Sequence, residues 1–177
     1  MEKVFSEAVA QLRDGMPVVV ATVVRTKGST PQKPGAKLLV RNDGSGVGTL
    51  GGGCVEGDIW FAAKELMKNG GGPQHRDYKL NEDMAAQDGL VCGGTMYFLI
   101  DPVYTPENYL SYATEIEQAY RGGPAVALAS LIKPGPGRQQ SVGAKLFIRS
   151  DGSTHGTLGN RKLDLQTIER AHDLMIR

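Results

Sequence analysis

Four stretches carry apolar residues at the three- and four-residue spacing of an amphipathic helix, which predicts helices over residues 4–13, 55–68, 106–120 and 162–176. In the second, Ile59, Ala62, Ala63, Leu66 and Met67 fall on one side. Pro106 suits the first turn of the third, where a backbone N–H has no helical partner to lose. β-Branched and apolar runs lie between the helices. Residues 17–24 ("PVVVATVV") read as a buried strand, 36–40 as a second and 47–50 as a short third. The turn Asn42-Asp43-Gly44-Ser45 joins the last two as an antiparallel pair. Further strands are predicted over 76–80 and 95–101, with a loop to residue 91 between them. The order of elements gives an α/β fold: a mixed sheet, or sheets, with flanking helices.

The pattern also repeats. Residues 35–51 ("GAKLLVRNDGSGVGTLG") and 143–159 ("GAKLFIRSDGSTHGTLG") are identical at 12 of 17 positions without a gap. Upstream, the 17–24 run aligns with "PAVALASL" from Pro124, with a one-residue length difference in the loop between. Downstream, "IWFAAKELM" ending at Met67 faces "TIERAHDLM" ending at Met175. Two copies are too few for a solenoid. A single domain over 1–177 is expected, built around two pseudo-duplicated strand-strand-strand-helix units, copy one over about 17–68 and copy two over about 124–177.

Two copies share a fold but need not share a task. Gly48-Thr49-Leu50-Gly51 recurs as Gly156-Thr157-Leu158-Gly159 and so reads as scaffold. Then "GGCVE" at 52–56 becomes "NRKLD" at 160–164. The second copy does without the glycine pair and the cysteine, which favours a functional role for them in the first.

Composition narrows the class. Lys and Arg number 20 against 19 for Asp and Glu, without the basic clustering that marks nucleic-acid or anionic-membrane binding. No apolar run approaches the ~20 residues of a membrane span. The start "MEKVFSEAVAQLRDG" has neither a basic n-region nor an apolar h-region, and a soluble cytoplasmic protein is expected. Two cysteines are too few for a disulfide scaffold, and with three scattered histidines they give no zinc-ligand spacing. The 24 glycines cluster between apolar stretches, as tight turns or a ligand-approach loop would require.

Three segments carry candidate chemistry. Gly51, Gly52, Gly53, Cys54, Val55 and Glu56 span a strand-to-helix junction, whose free N–H groups and partial positive charge favour a phosphate or a thiolate. Cys54 there is a candidate nucleophile or soft ligand, and Glu56 either caps the helix or acts on a proton or a ligand amine. Cys92, with Gly93 and Gly94, lies in a second glycine-flanked loop, where the thiol either shares a pocket with Cys54 or is a small buried hydrophobe. The loop over 25–37 ("RTKGSTPQKPGAK") is stiffened by Pro31 and Pro34 and offers Lys27, Ser29, Thr30 and Lys33 as donors to an anion, or is simply a rigid surface loop. Gly46-x-Gly48-x-x-Gly51 spells a dinucleotide fingerprint but lies in a hairpin instead of opening a helix after a strand, so it is set aside.

In combination, "KGSTPQKPGAKLLVRNDGSGVGTLGGGCVEGDI" and "GLVCGG" resemble the XdhC/CoxI family of bacterial molybdenum-cofactor accessory proteins, strongly over residues from about 10 to 103 and more weakly from 124. The resemblance implies a chaperone without turnover of its own. It would bind molybdopterin cofactor as cargo, protect it while a cysteine desulfurase replaces an oxo ligand with sulfur, and deliver it to a xanthine dehydrogenase-type molybdenum hydroxylase. Carried over residue by residue, the contacting positions are Gly28, Ser29, Thr30 and Pro31; Gly51, Gly52, Gly53, Cys54, Val55 and Glu56; and Cys92, Gly93 and Gly94. Molybdenum contact by Cys54 is the one metal contact this suggests. The alternatives are a sulfur-carrier enzyme using Cys54 and a non-catalytic docking module for the hydroxylase. Family members usually continue into a C-terminal Rossmann-like domain, whereas this sequence stops at Arg177. A separate Rossmann-like subunit or a homodimer is therefore an expected partner.

Overall fold

Val18, Val19, Val20 and Ala21 are all buried, so both faces of this strand need cover and it takes the middle of a sheet. The computed structural model describes residues 2–80, 93–135 and 140–176. In chain order the elements are α1 (Glu2–Arg13), β1 (Val18–Lys27), β2 (Lys37–Arg41), β3 (Gly46–Gly48), α2 (Gly53–Asn69), β4 (Gln74–Lys79) and β5 (Thr95–Val103). They continue as α3 (Glu107–Tyr120), β6 (Val126–Ser130), β7 (Lys145–Arg149), β8 (Thr154–Gly156) and α4 (Arg161–Met175). Among the described residues this is a mixed α and β fold with a five-stranded sheet, ordered β3-β2-β1-β5-β4, and a three-stranded sheet, ordered β6-β7-β8.

The alternation along each strand assigns its faces. Val19, Ala21, Leu38, Val40, Phe98 and Ile100 pack under α2 through Val55, Ile59, Ala63 and Leu66. Val18, Val20 and Leu39 point the other way, into a central core with α1, α3 and Phe147 of the second sheet. Leu146 and Ile148 turn outward against α4. Each Val, Leu, Ile or Phe among them, once fully buried, contributes about 1.5–3 kcal/mol.

The α/β class matches the sequence reading, but the expected mixed pairing does not occur: every strand pair among the described residues is antiparallel. The reason is where α2 takes the chain. It leads from β3 at one edge of the large sheet to β4 at the opposite edge, so no crossover sets two parallel strands side by side. β1 also runs on to Lys27, beyond the predicted end, because β5 pairs with it as far as Lys27 opposite Thr95.

The two strand units superpose residue for residue in their hydrogen bonding. Val18 faces Arg41 and Thr22 faces Lys37 in the first; Val126 faces Arg149 and Ser130 faces Lys145 in the second. The same offset of 108 residues holds into the loop, where Val23 N–H donates to Ala36 O and Leu131 N–H to Ala144 O. The sequence alignment of Pro17 with Pro124 is therefore one residue out of step. A one-residue slip would exchange the two faces of the strand, and burial outweighs the match of two prolines.

The correspondence also reaches upstream of both strands. Arg41 Nε donates to Glu7 Oε1 of α1 at 2.6 Å, and Arg149 Nε donates to Glu115 Oε2 of α3 at 2.6 Å. Each unit thus has a leading helix tied to its second strand in the same way.

Candidate functional site

The β3–α2 junction is built on one carboxylate. Glu56 Oε2 accepts from Thr49 Oγ1 at 2.7 Å, from Leu50 N–H at 2.7 Å and from Gly52 N–H at 3.1 Å, while Gly51 N–H donates to Thr49 Oγ1 at 3.0 Å. Burial pushes the Glu56 carboxyl up, but these hydrogen bonds and one from Gly51 outweigh it and hold the group below the usual carboxylate range. In the second unit Asp164 accepts from Thr157 Oγ1 at 2.6 Å and from Leu158 N–H at 2.8 Å. Of the two roles open to Glu56, capping is thus the one its contacts describe, and the second unit uses an acid at the same place.

Around this clasp the sequence-predicted segments converge. A Cβ added to Gly51 would sit 2.7 Å from the Pro31 ring, and one added to Gly94 would run into the carbonyl oxygens of Ser29 and Lys27. The 28–31 loop is therefore wedged between the glycine junction and the start of β5. Thr30 Oγ1 donates to Gln32 O at 3.0 Å, which commits that hydroxyl to the loop itself. Gly28, Ser29, Gly53, Cys54 and Gly93 are exposed, and a Cβ on Gly52 or Gly93 would meet nothing within 4 Å. Val55 points the other way into the core. Cys92 lies outside the described residues.

Cys54 is the second residue of α2, and N-cap Gly52 supplies no side-chain hydrogen bond to the helix. Asp58 follows one turn later, and Tyr78 of β4 reaches the pair from the sheet. Burial, the hydrogen bond to Asp58 and the charges of Asp58 and Cys54 push the Tyr78 phenol up. Leu80 N–H donates to Gly94 O at 2.9 Å, which ties the end of β4 to the same glycine. Sequence reasoning missed Asp58 and Tyr78. The four-residue step from Cys54 to Asp58 was a usable signal, but the placement of Tyr78 depends on which strand occupies the sheet edge.

The rejected fingerprint is a hairpin: Gly46 to Gly48 form β3, paired with β2. Among the described residues no three of His, Cys, Asp and Glu gather where they could share a metal ion, and no helix is long and apolar enough to cross a membrane.

The model for the XdhC and CoxI family matches residues 11–79 and 119–177. The chain belongs to that family. Among curated relatives of this XdhC/CoxI chain is the molybdenum cofactor insertion chaperone PaoD of Escherichia coli (strain K12), 31% identical over 112 residues that make up 63% of this chain and 34% of that protein. Another is a probable xanthine dehydrogenase subunit from Bacillus subtilis (strain 168), 36% identical over 84 residues, 48% of this chain and 24% of that one. The XdhC/CoxI chain thus spans about a third or less of the length of these relatives. A crystal structure of a xanthine dehydrogenase from Bacillus halodurans is similar with a TM-score of 0.65 and 26% identity, over 86% of this chain and 44% of that one.

Proposed function

We propose that this chain binds the molybdenum cofactor as cargo and aids its sulfuration and insertion into a xanthine dehydrogenase-type molybdenum hydroxylase in the cytoplasm. Family membership and the relative named for cofactor insertion support the reading. The observation that carries it is the convergence of the 28–31 loop, the 51–56 junction and Gly93-Gly94 beside the start of α2, whose N-cap glycine has no side chain. Open backbone at Gly52 and Gly93 admits a flat or anionic group to close approach, which fits a pterin with a phosphate. In this reading the N–H groups of the first α2 turn hold the phosphate, and Cys54 lies within reach of the metal end. Residues 1–177 act as one unit, with the hydroxylase, a cysteine desulfurase, and a Rossmann-like subunit or a second copy of the chain as working partners.

Pterin fluorescence released on denaturing the purified chain tests this directly. Wild type retains cofactor, and Cys54→Ala or Gly52→Val loses most of it. Unchanged retention in both variants overturns the site.

The exposure of Cys54 favours one further reading, in which it carries sulfur. Its thiolate would attack the terminal sulfur of a desulfurase persulfide, form a Cys54 persulfide and release the desulfurase thiolate, with no net redox change. A gain of one sulfur atom on Cys54 by mass spectrometry separates this role from passive binding.

A further inference from the structure

The two units meet over a polar spot in an otherwise apolar interior. Lys37 and Lys145, which open β2 and β7, lie at equivalent places, as do their cross-strand partners Thr22 and Ser130. All four line one small cavity of about 40 Å³, together with Asp101 of β5 and Tyr109 of α3. Lys145 Nζ pairs with Asp101 Oδ2 and donates to Gly143 O at 3.0 Å. Lys37 Nζ donates to Thr22 Oγ1 at 2.9 Å and sits 5.9 Å from the centre of the Phe5 ring. Asp101 is the buried charged side chain among the described residues, at 7% exposure, and it faces two ammonium groups. The cluster therefore holds one more positive charge than negative.

The small cavity is the inner end of a larger feature. A cleft of about 720 Å³ lies between the sheets and shares Thr22, Lys37 and Ser130 with it. Val24 and Leu99 line one side and Leu128 and Ile132 the other, with polar groups between them. None of the 28–31, 51–56 or 93–94 residues lines it. Apolar walls around a few convergent polar groups are the usual composition of a small-molecule site. Two lysines against one carboxylate would cost less with an anion beside them.

We infer that this inter-sheet cleft binds an amphipathic anion, with a carboxylate or phosphate head on Lys37, Thr22 and Ser130 and an apolar body along Leu99 and Leu128. Burial pushes Lys37 down to about 8, with Asp101 opposing the fall and Lys145 adding to it. Burial pushes Asp101 up against the pull of Lys145 and Lys37, and pushes the Tyr109 phenol up as well. An arriving anion favours the charged form of Lys37, so binding strengthens as pH falls through that value.

The test is calorimetric titration of the whole chain with hexanoate, hexyl phosphate and hexanol, each at about pH 7 and pH 9.5, where the Lys37 charge is mostly lost. At pH 7 at least one anion saturates, and hexanol binds at least tenfold more weakly. The stronger anion identifies the head group. At pH 9.5 anion affinity falls at least tenfold while that of hexanol does not change, and Lys37→Met reproduces the loss at pH 7. Equal binding of hexanol and the anions, no saturation by either anion, or affinity indifferent to pH overturns the inference. If Lys37→Met fails to fold, the comparison of probes and pH on wild type decides alone. Pterin retention is a separate readout, so failure here leaves the cargo reading standing and failure there leaves this one.

Discussion

The two helix starts, at α2 and α4, follow the same strand unit and differ in how they are closed. Asn160 caps α4 from extended backbone, its side chain accepting from Leu163 N–H at 3.1 Å. Gly52 stands in the same place before α2 at φ 74°, ψ −169°, with no side chain to offer. Both junctions keep the threonine–acid clasp, through Glu56 in the first and Asp164 in the second. The scaffold therefore does not require an open helix start. The first unit forgoes a few tenths of a kcal/mol of side-chain capping and gains exposed backbone beside Cys54, with the 28–31 loop packed between Gly51 and Gly94. The second unit has no equivalents of β4 and β5 among the described residues, and Gln140 lies against Gly159 where Pro31 and Gln32 lie against Gly51.

The largest expected effect comes from breaking that packing. Gly94→Ala drives a methyl into two backbone carbonyls and the Thr30 methyl, none of which is the end of a flexible chain. A loss of about 2–3 kcal/mol is expected, read as a shift of the urea midpoint. Gly152→Ala in the second unit is the control, because its methyl meets only His172 Nε2 at 3.8 Å. It carries the strain of a positive φ alone, about 1–2 kcal/mol. Equal losses would show that the first unit's loop is not wedged against β5.

Much of this contrast was readable from sequence, and the unread parts share a cause. Glycine, cysteine and the repeated Gly-Thr-Leu-Gly marked the junction because backbone access and thiol chemistry depend on residue type at one place. The helices and strands followed from apolar spacing, which local burial enforces. The partnership of Arg41 with Glu7 and Arg149 with Glu115 was not readable, since the leading helices align only through their ion pairs. Nor was the meeting of Lys37, Asp101 and Lys145, which joins three strands far apart in sequence. Tyr78 was missed for the same reason: its approach to Asp58 exists only once β4 takes the sheet edge. Local pattern specifies elements; the order of strands decides which side chains meet.

A smaller effect tests the clasp itself. Glu56→Gln removes the charge that gathers Thr49, Leu50 and Gly52, at a cost of about 1–2 kcal/mol at neutral pH. The folded carboxyl lies below its ordinary value of 4.5, so its contribution is complete above that value and lost as pH falls through the folded one. The wild type should therefore be the more stable at pH 7, and the gap should narrow in urea melts as pH falls below 4.5 and close once pH passes the folded value. A gap of full size at pH 3 would mean that the charge of Glu56 does not hold the junction, since glutamine has the same length. Asp164→Asn should cost a similar amount if the second clasp works in the same way.

The smallest effect separates capping from conformation. Asn160→Ala should lower stability by about 1 kcal/mol, and Asn160→Gly by only a few tenths, since glycine caps tolerably well through exposed backbone. The reciprocal change, Gly52→Asn, should not recover that energy. Asparagine caps from an extended conformation, as Asn160 does, whereas φ 74° with ψ −169° is a region that only glycine occupies without strain. Melting the three variants beside wild type compares the two starts on one scale. If Gly52→Asn stabilised the chain as much as Asn160→Ala weakened it, the glycine run would be free to adopt an ordinary cap. The open helix start would then be a default of composition and not a conformation held in place by the 28–31 loop and the Glu56 clasp.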